Sequence, residues 1–217
     1  MINSLHLALA LGPLGVYLLV LGLLNLSRRP VATTGSRDLF AVGIALSGFF
    51  VIGPLDLFMP SGAAKSFGPL AWLLLLSLYL LGVTLVAMNT RPRLVVYNIA
   101  PQEMRVILQR MIDRLQLQHL WAGESLVLPT WGIQLHTTSF LLMRNVSVCS
   151  TGARQNLNGW RLLRQELAYE FSQTEVPPNP VGLTLLTFSL LMLGGVIVRL
   201  MQNPSAVARS LIDLLRL

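Results

Sequence analysis

Four long apolar stretches, at residues 5–26, 39–58, 70–88 and 181–198, constrain this chain more than any other feature. The first runs for 22 residues without a charged side chain. As a helix it rises about 33 Å, enough to cross a hydrocarbon core. Of the 217 residues, 53% are hydrophobic and only 12% charged, and a mean hydropathy of +0.64 is too apolar for an ordinary soluble domain. The expected fold class is an α-helical multi-pass membrane protein with four transmembrane helices. The first positive charges, Arg28 and Arg29, follow the first stretch rather than precede it, which suits an uncleaved anchor better than a signal peptide.

Positive side chains near span ends resist translocation and so set orientation. With four spans both termini share a side. If that side is outside, Arg28, Arg29, Arg37, Arg91, Arg93, Arg105 and Arg164 lie inside, against Lys65, Arg199, Arg209 and Arg216 outside. The bias predicts a plasma-membrane protein with the large loop in the cytoplasm and both termini outside; the reversed topology is the alternative. The formal charge of +7 is carried by dispersed arginines, with no basic block and no nucleic-acid motif beside them, so topology explains it and no nucleic-acid partner is expected.

Four regions follow: residues 1–90 with three spans, a soluble domain at 91–176, the fourth span within 177–202, and a tail at 203–217. In the soluble block the apolar pattern turns periodic. Leu94 to Tyr97 is β-prone, and Pro101 suits the first turn of a helix carrying Met104, Leu108, Met111 and Leu115 on one face. Ser125 to Leu128, Ile133 to Thr137 and Asn145 to Ser150 are strand candidates, with an apolar loop from Phe140 to Met143. A second helix is expected after Asn158 as cap, with Trp160, Leu163, Leu167 and Phe171 inward. The predicted order is β-α-β-β-β-α, a small α/β two-layer domain with both helices on one sheet face. The prolines at 177, 178 and 180 form a stiff spacer before the last span, and the tail reads as an amphipathic interfacial helix too short to cross a bilayer.

Few residues point to chemistry. Asp56 is the one acid within a predicted span, but it lies two residues from the span's end after Gly53 and Pro54, which favours an interfacial role over transport. Arg28, Arg29, Arg91 and Arg93, at span ends, are the other membrane-interface candidates, placed to meet headgroups. His119 and His136 with Glu124 or Asp113 match no metal-ligand spacing, so neither a metal nor a cofactor is expected. The single cysteine, Cys149, sits in a predicted strand and would need a base or a positive neighbour to act as a nucleophile. The Asn145-Val146-Ser147 triplet fits a glycosylation acceptor by chance. Glycines and Ser47 within the spans are read as ordinary membrane-helix composition.

The expected function is non-enzymatic: presentation of a small domain at the cytoplasmic surface for assembly or scaffolding, with the bilayer, a protein partner or a second copy as partners. Trp131, Phe140 and Met143 are the candidate contact residues if the sheet face opposite the helices carries them. A transporter or channel subunit is the first alternative, and a membrane-bound enzyme acting on a lipid-linked substrate the second.

Overall fold

A computed structural model describes residues 4–55, 69–140, 143–152, 155–202 and 204–215. The chain forms two compact units. One comprises residues 1–20, 39–88 and 185–217, the other residues 21–38 and 89–184. Among the described residues four helices are long and apolar enough to cross a membrane, and a small antiparallel sheet accompanies them.

The helical unit is built from parts of α1 (Ser4–Leu26), α2 (Gly35–Phe50), α3 (Pro69–Asn89) and α6 (Pro180–Gln202), with α7 (Pro204–Leu215). The second apolar stretch was expected to begin at residue 39. Its helix starts at Gly35, because the Thr34 hydroxyl accepts from the Arg37 amide and Asp38 places negative charge in the first turn. A π-helical segment, Val51–Leu55, ends it at Gly53 and Pro54, where proline removes an amide donor.

Two glycines set the packing of this unit. A methyl group on Gly48 would meet the Leu9 carbonyl of α1, and one on Gly43 would meet the Val83 side chain of α3. Gly43 also accepts at its carbonyl from the Tyr79 hydroxyl, 2.7 Å away. These positions are close helix contacts rather than background composition, whereas Gly12, Gly194 and Gly195 face open space.

The second unit is a two-layer arrangement. Its sheet has six strands in the order β1-β2-β6-β5-β4-β3, every neighbouring pair antiparallel. They are β1 (Val31–Thr34), β2 (Arg93–Tyr97), β3 (Leu120–Ala122), β4 (Ser125–Leu128), β5 (Ile133–Phe140) and β6 (Asn145–Ser150). The predicted β-α-β-β-β-α order is corrected in two places. β3 is an additional three-residue edge strand, too short for alternation to register. β1 comes from the connection between the first two apolar helices, outside the domain expected at 91–176, and pairs with β2 as Val31↔Tyr97 through Thr34↔Leu94.

Helices α4 (Pro101–Leu115) and α5 (Leu157–Gln173) both cover one face of the sheet. Met104, Ile107, Leu108, Met111 and Ile112 of α4 and Trp160, Leu163, Leu167 and Phe171 of α5 close over Leu94, Val96, Leu126, Leu128, Ile133, Leu135, Val146 and Val148. Each fully buried side chain of this size contributes about 1.5–3 kcal/mol. Pro101 opens α4, and the Glu103 carboxylate accepts from the Ala100 amide at 2.8 Å. The cap of α5 is Asn156 rather than Asn158: its side chain accepts from the Asn158 amide, which lies in the first turn.

Three ties fasten segments remote in sequence within this unit. The Val176 amide donates to the Arg28 carbonyl at 2.9 Å, the Asn98 side chain donates to the Ser27 carbonyl at 2.6 Å, and the Asn179 amide donates to the Asn25 carbonyl at 2.9 Å. Asn98 is fully buried and holds φ 55°, a left-handed conformation that asparagine tolerates better than most residues.

Candidate functional site

Strand alternation divides the sheet residues cleanly. With Leu94, Val96, Val146, Val148, Ile133 and Leu135 turned into the core, the intervening residues lie on the opposite face. The register aligns them in rows. Ser125 of β4 stands beside His136 of β5, His136 beside Cys149 of β6, and Cys149 beside Arg93 of β2. A second row runs through Thr138, Ser147, Val95 and Thr33.

The first row is the chemically distinctive one. The Ser125 hydroxyl and His136 Nδ1 are 3.1 Å apart, which fixes the imidazole ring on that side. Arg93 reaches the Asp38 carboxylate at 3.6 Å, and the Tyr97 hydroxyl donates to the same carboxylate. Gly35 lies against the Arg93 side chain, where a larger residue would collide with it. The first turn of α2 thus lies over the β1–β2 end of this face, and Val95 and Tyr97 are buried there. Further along, Ser125, His136, Ser147 and Cys149 are half-buried and Thr138 is exposed.

The sequence-predicted contact residues do not form one patch. Phe140 lies on the open face at the end of β5 and is 58% exposed. Trp131 occupies a short 3-10 turn, Pro129–Trp131, and packs partly buried against the core on the helix side. Met143 is half-buried in the turn between β5 and β6.

Among the interface candidates, Arg28, Arg29 and Arg91 are exposed, as is Arg37, while Arg93 is drawn into its contact with Asp38. Asp56, and Lys65 with it, lie outside the described residues. His119 Nδ1 is 3.3 Å from the Leu117 carbonyl, Asp113 accepts from Gln109, and Glu124 accepts from Thr137. Among the described residues no three His, Cys, Asp or Glu side chains gather as a metal site.

Composition and local motifs conceal the Ser125–His136–Cys149–Arg93 row, because four separate strands supply it. One signal for part of it does exist. His136 and Cys149 are equally far from the β5–β6 turn, so locating that turn makes them partners. Comparison of the chain with protein-family models, with curated proteins and with solved structures finds no match.

Proposed function

We propose that this chain is a multi-pass membrane protein whose four apolar helices carry the sheet domain on the cytoplasmic side, where it serves assembly or scaffolding by docking a protein partner or a second copy. The observation that carries the reading is the pairing of β1 with β2. It supports a topology in which the connection between the first and second helices shares a side with the large connection between the third and fourth. Two crossings, by α2 and α3, then separate them, as a four-span topology requires. The arginine excess described above makes that shared side the cytoplasmic one.

The ties at Asn98, Val176 and Asn179 hold Ser27, Arg28 and Asn25 to the domain, which supports its presentation as one folded body. Apolar side chains on the domain offer contact area: Leu120 at the β3 edge is 66% exposed, and Phe140, Val106 and Tyr169 are exposed as well. Exposed Arg28, Arg29, Arg37 and Arg91 suit anionic headgroups beside it.

Transport is the weaker reading. Four hydroxyls in the apolar helices bond back to carbonyls of their own helix: Ser47 to Ile44, Thr84 to Leu80, Thr184 to Val181 and Ser189 to Leu186. Such groups are satisfied locally, which weighs against a polar path built from them.

Copurification in mild detergent tests the role. A stoichiometric partner, or a second copy, that is lost on Phe140→Asp and Leu120→Asp supports it; a lone chain that conducts ions or solutes in vesicles rejects it. Reporter fusions after residues 35, 65, 150 and 217 test the sidedness, with inside, outside, inside, outside expected.

A further inference from the structure

We propose that a cleft between α1 and the end of the second apolar helix, lined by His6, binds a neutral acyl lipid with a free hydroxyl, of the diacylglycerol type. This site deepens the membrane reading above and rests on it for the bilayer that delivers the lipid.

The two helices touch at one level and part at the next. A methyl group on Gly48 would collide with the Leu9 carbonyl and lie 3.1 Å from the Ala10 Cα, so the backbones are in contact there. Further toward the start of α1, a methyl on Gly53 would meet nothing within 4 Å. Between these levels is a cavity of about 330 Å³, lined by His6, Leu7 and Ala10 of α1, Phe49 of α2, and Ile52 and Gly53 of the π-helical segment. All six residues belong to the helical unit. Phe49 and Gly53 are exposed, so the cavity opens at their side.

Two polar groups in this wall are short of a partner. His6 Nδ1 is buried and makes no hydrogen bond. A proton there would be an orphaned donor, so the neutral ring carries its proton on Nε2 and offers a donor from that nitrogen. The other group is the Phe49 carbonyl. In a π-helical ladder a carbonyl accepts from the amide five residues on, and five residues after Phe49 stands Pro54, which has no amide proton to give.

A hydroxyl answers both needs, because its oxygen accepts from an N–H and its proton goes to a carbonyl. Among the described residues no charged side chain lines the cavity, so a phosphate or an ammonium would be desolvated there without a counter-charge. Leu7, Ala10 and Ile52 supply apolar walls that close at the Gly48 contact, a shape that suits a flexible acyl chain better than a rigid ring system. The level fits as well. His6 lies in the first turn of α1 and Gly53 just past the end of α2, so in the four-span reading the cavity sits where headgroups give way to hydrocarbon.

The test uses the full-length protein in nanodiscs with a photoactivatable, alkyne-tagged diacylglycerol. Cross-linking is expected on the peptide that contains His6 or Phe49, with unlabelled diacylglycerol competing and phosphatidylcholine or cholesterol failing to compete. His6→Leu should weaken competition by roughly 3- to 10-fold, the worth of one hydrogen bond. His6→Gln, whose side-chain amide restores a donor, should bind as wild type does. Gly53→Leu fills the cavity from a position with room for the side chain and should abolish the competed label. Folding is read separately. His6→Leu removes an unpaired buried nitrogen, so its thermal midpoint without the probe should equal or exceed that of wild type, while diacylglycerol raises the midpoint of wild type and not of Gly53→Leu. Equal labelling of wild type, His6→Leu and Gly53→Leu, or equal competition by phosphatidylcholine or cholesterol, overturns the proposal. Alkaline carbonate extraction of the producing membranes separates the two readings. A retained chain without hydroxyl-selective labelling keeps the membrane reading and refutes the site; a chain released to the supernatant that still takes the probe in a His6-dependent way does the reverse.

Discussion

Asn25 and Asn179, 154 positions apart in the chain, are both buried and joined by two hydrogen bonds: the Asn179 backbone amide donates to the Asn25 carbonyl at 2.9 Å, and its side-chain amide donates to Asn25 Oδ1 at 3.3 Å. Each asparagine is used fully. Asn25 donates back to the Leu21 carbonyl, and Asn179 Oδ1 caps α6 by accepting from the Val181 amide. Beside them a side chain on Gly182 would strike the Gly22 carbonyl, so the ends of α1 and α6 meet at backbone distance.

Asn179→Ala removes a helix cap and strands its partner, and should cost about 1–3 kcal/mol. The loss is read as a lowered unfolding midpoint in detergent. Asn25→Ala should lower it too, and the double variant should lose less than the two single losses combined. Strict additivity would mean the two residues act independently.

Gly48→Ala should destabilise the helical unit, because its new methyl meets the Leu9 backbone carbonyl and backbone cannot swing aside. Overpacking of this kind costs about 1–3 kcal/mol. Gly12→Ala, at a site with open space, should be neutral or slightly stabilising. Equal thermal midpoints for the two variants would contradict the packing described.

Thr33 and Val95 are direct cross-strand partners, so a Thr33→Cys, Val95→Cys pair in a Cys149→Ser background should oxidise to an intramolecular disulfide. Thr33→Cys with Ser147→Cys, separated by the intervening β2, should not. Non-reducing gel mobility after protease cleavage between the two positions reads the result.

Arg114 links α4 to α5 by donating to Glu166 at 2.7 Å and to the buried Glu170 at 2.8 Å, and it lies over the Tyr169 ring. Arg114→Ala leaves Glu170 without its cation and should lower the domain's thermal midpoint more than Glu166→Gln does. Hydrogen bonding to Glu166 and then Glu170 raises the arginine's pKa above its ordinary value. A raised folded pKa means the contribution is complete below the unfolded value and lost only as pH climbs past the folded one. The gap between wild type and Arg114→Ala should therefore stay constant from about pH 7 to pH 9.

The apolar helices were legible because hydropathy needs no partner to be read: the stretch at 70–88 becomes Pro69–Asn89 and the stretch at 181–198 becomes Pro180–Gln202. The helices of the domain were legible for the related reason that their apolar residues recur within one element. What escaped depends on distant pairing. Val31–Thr34 is four residues whose β-conformation is secured by Leu94–Tyr97, about sixty positions later. Cys149 as a sequence position is a small residue in a strand; its setting comes from registers that bring His136 and Arg93 to either side. Asn25 escaped because its burial arises only where Asn179 arrives.

The borrowed strand β1 has a consequence for biogenesis. Synthesis delivers it before any other strand of the sheet, with α2 and α3 made between it and β2. Until the two meet, the outer edge of β2 has its backbone donors and acceptors open for any other strand to take. Delay in that one long-range pairing is therefore the step at which a newly made chain is most exposed to association with a neighbour.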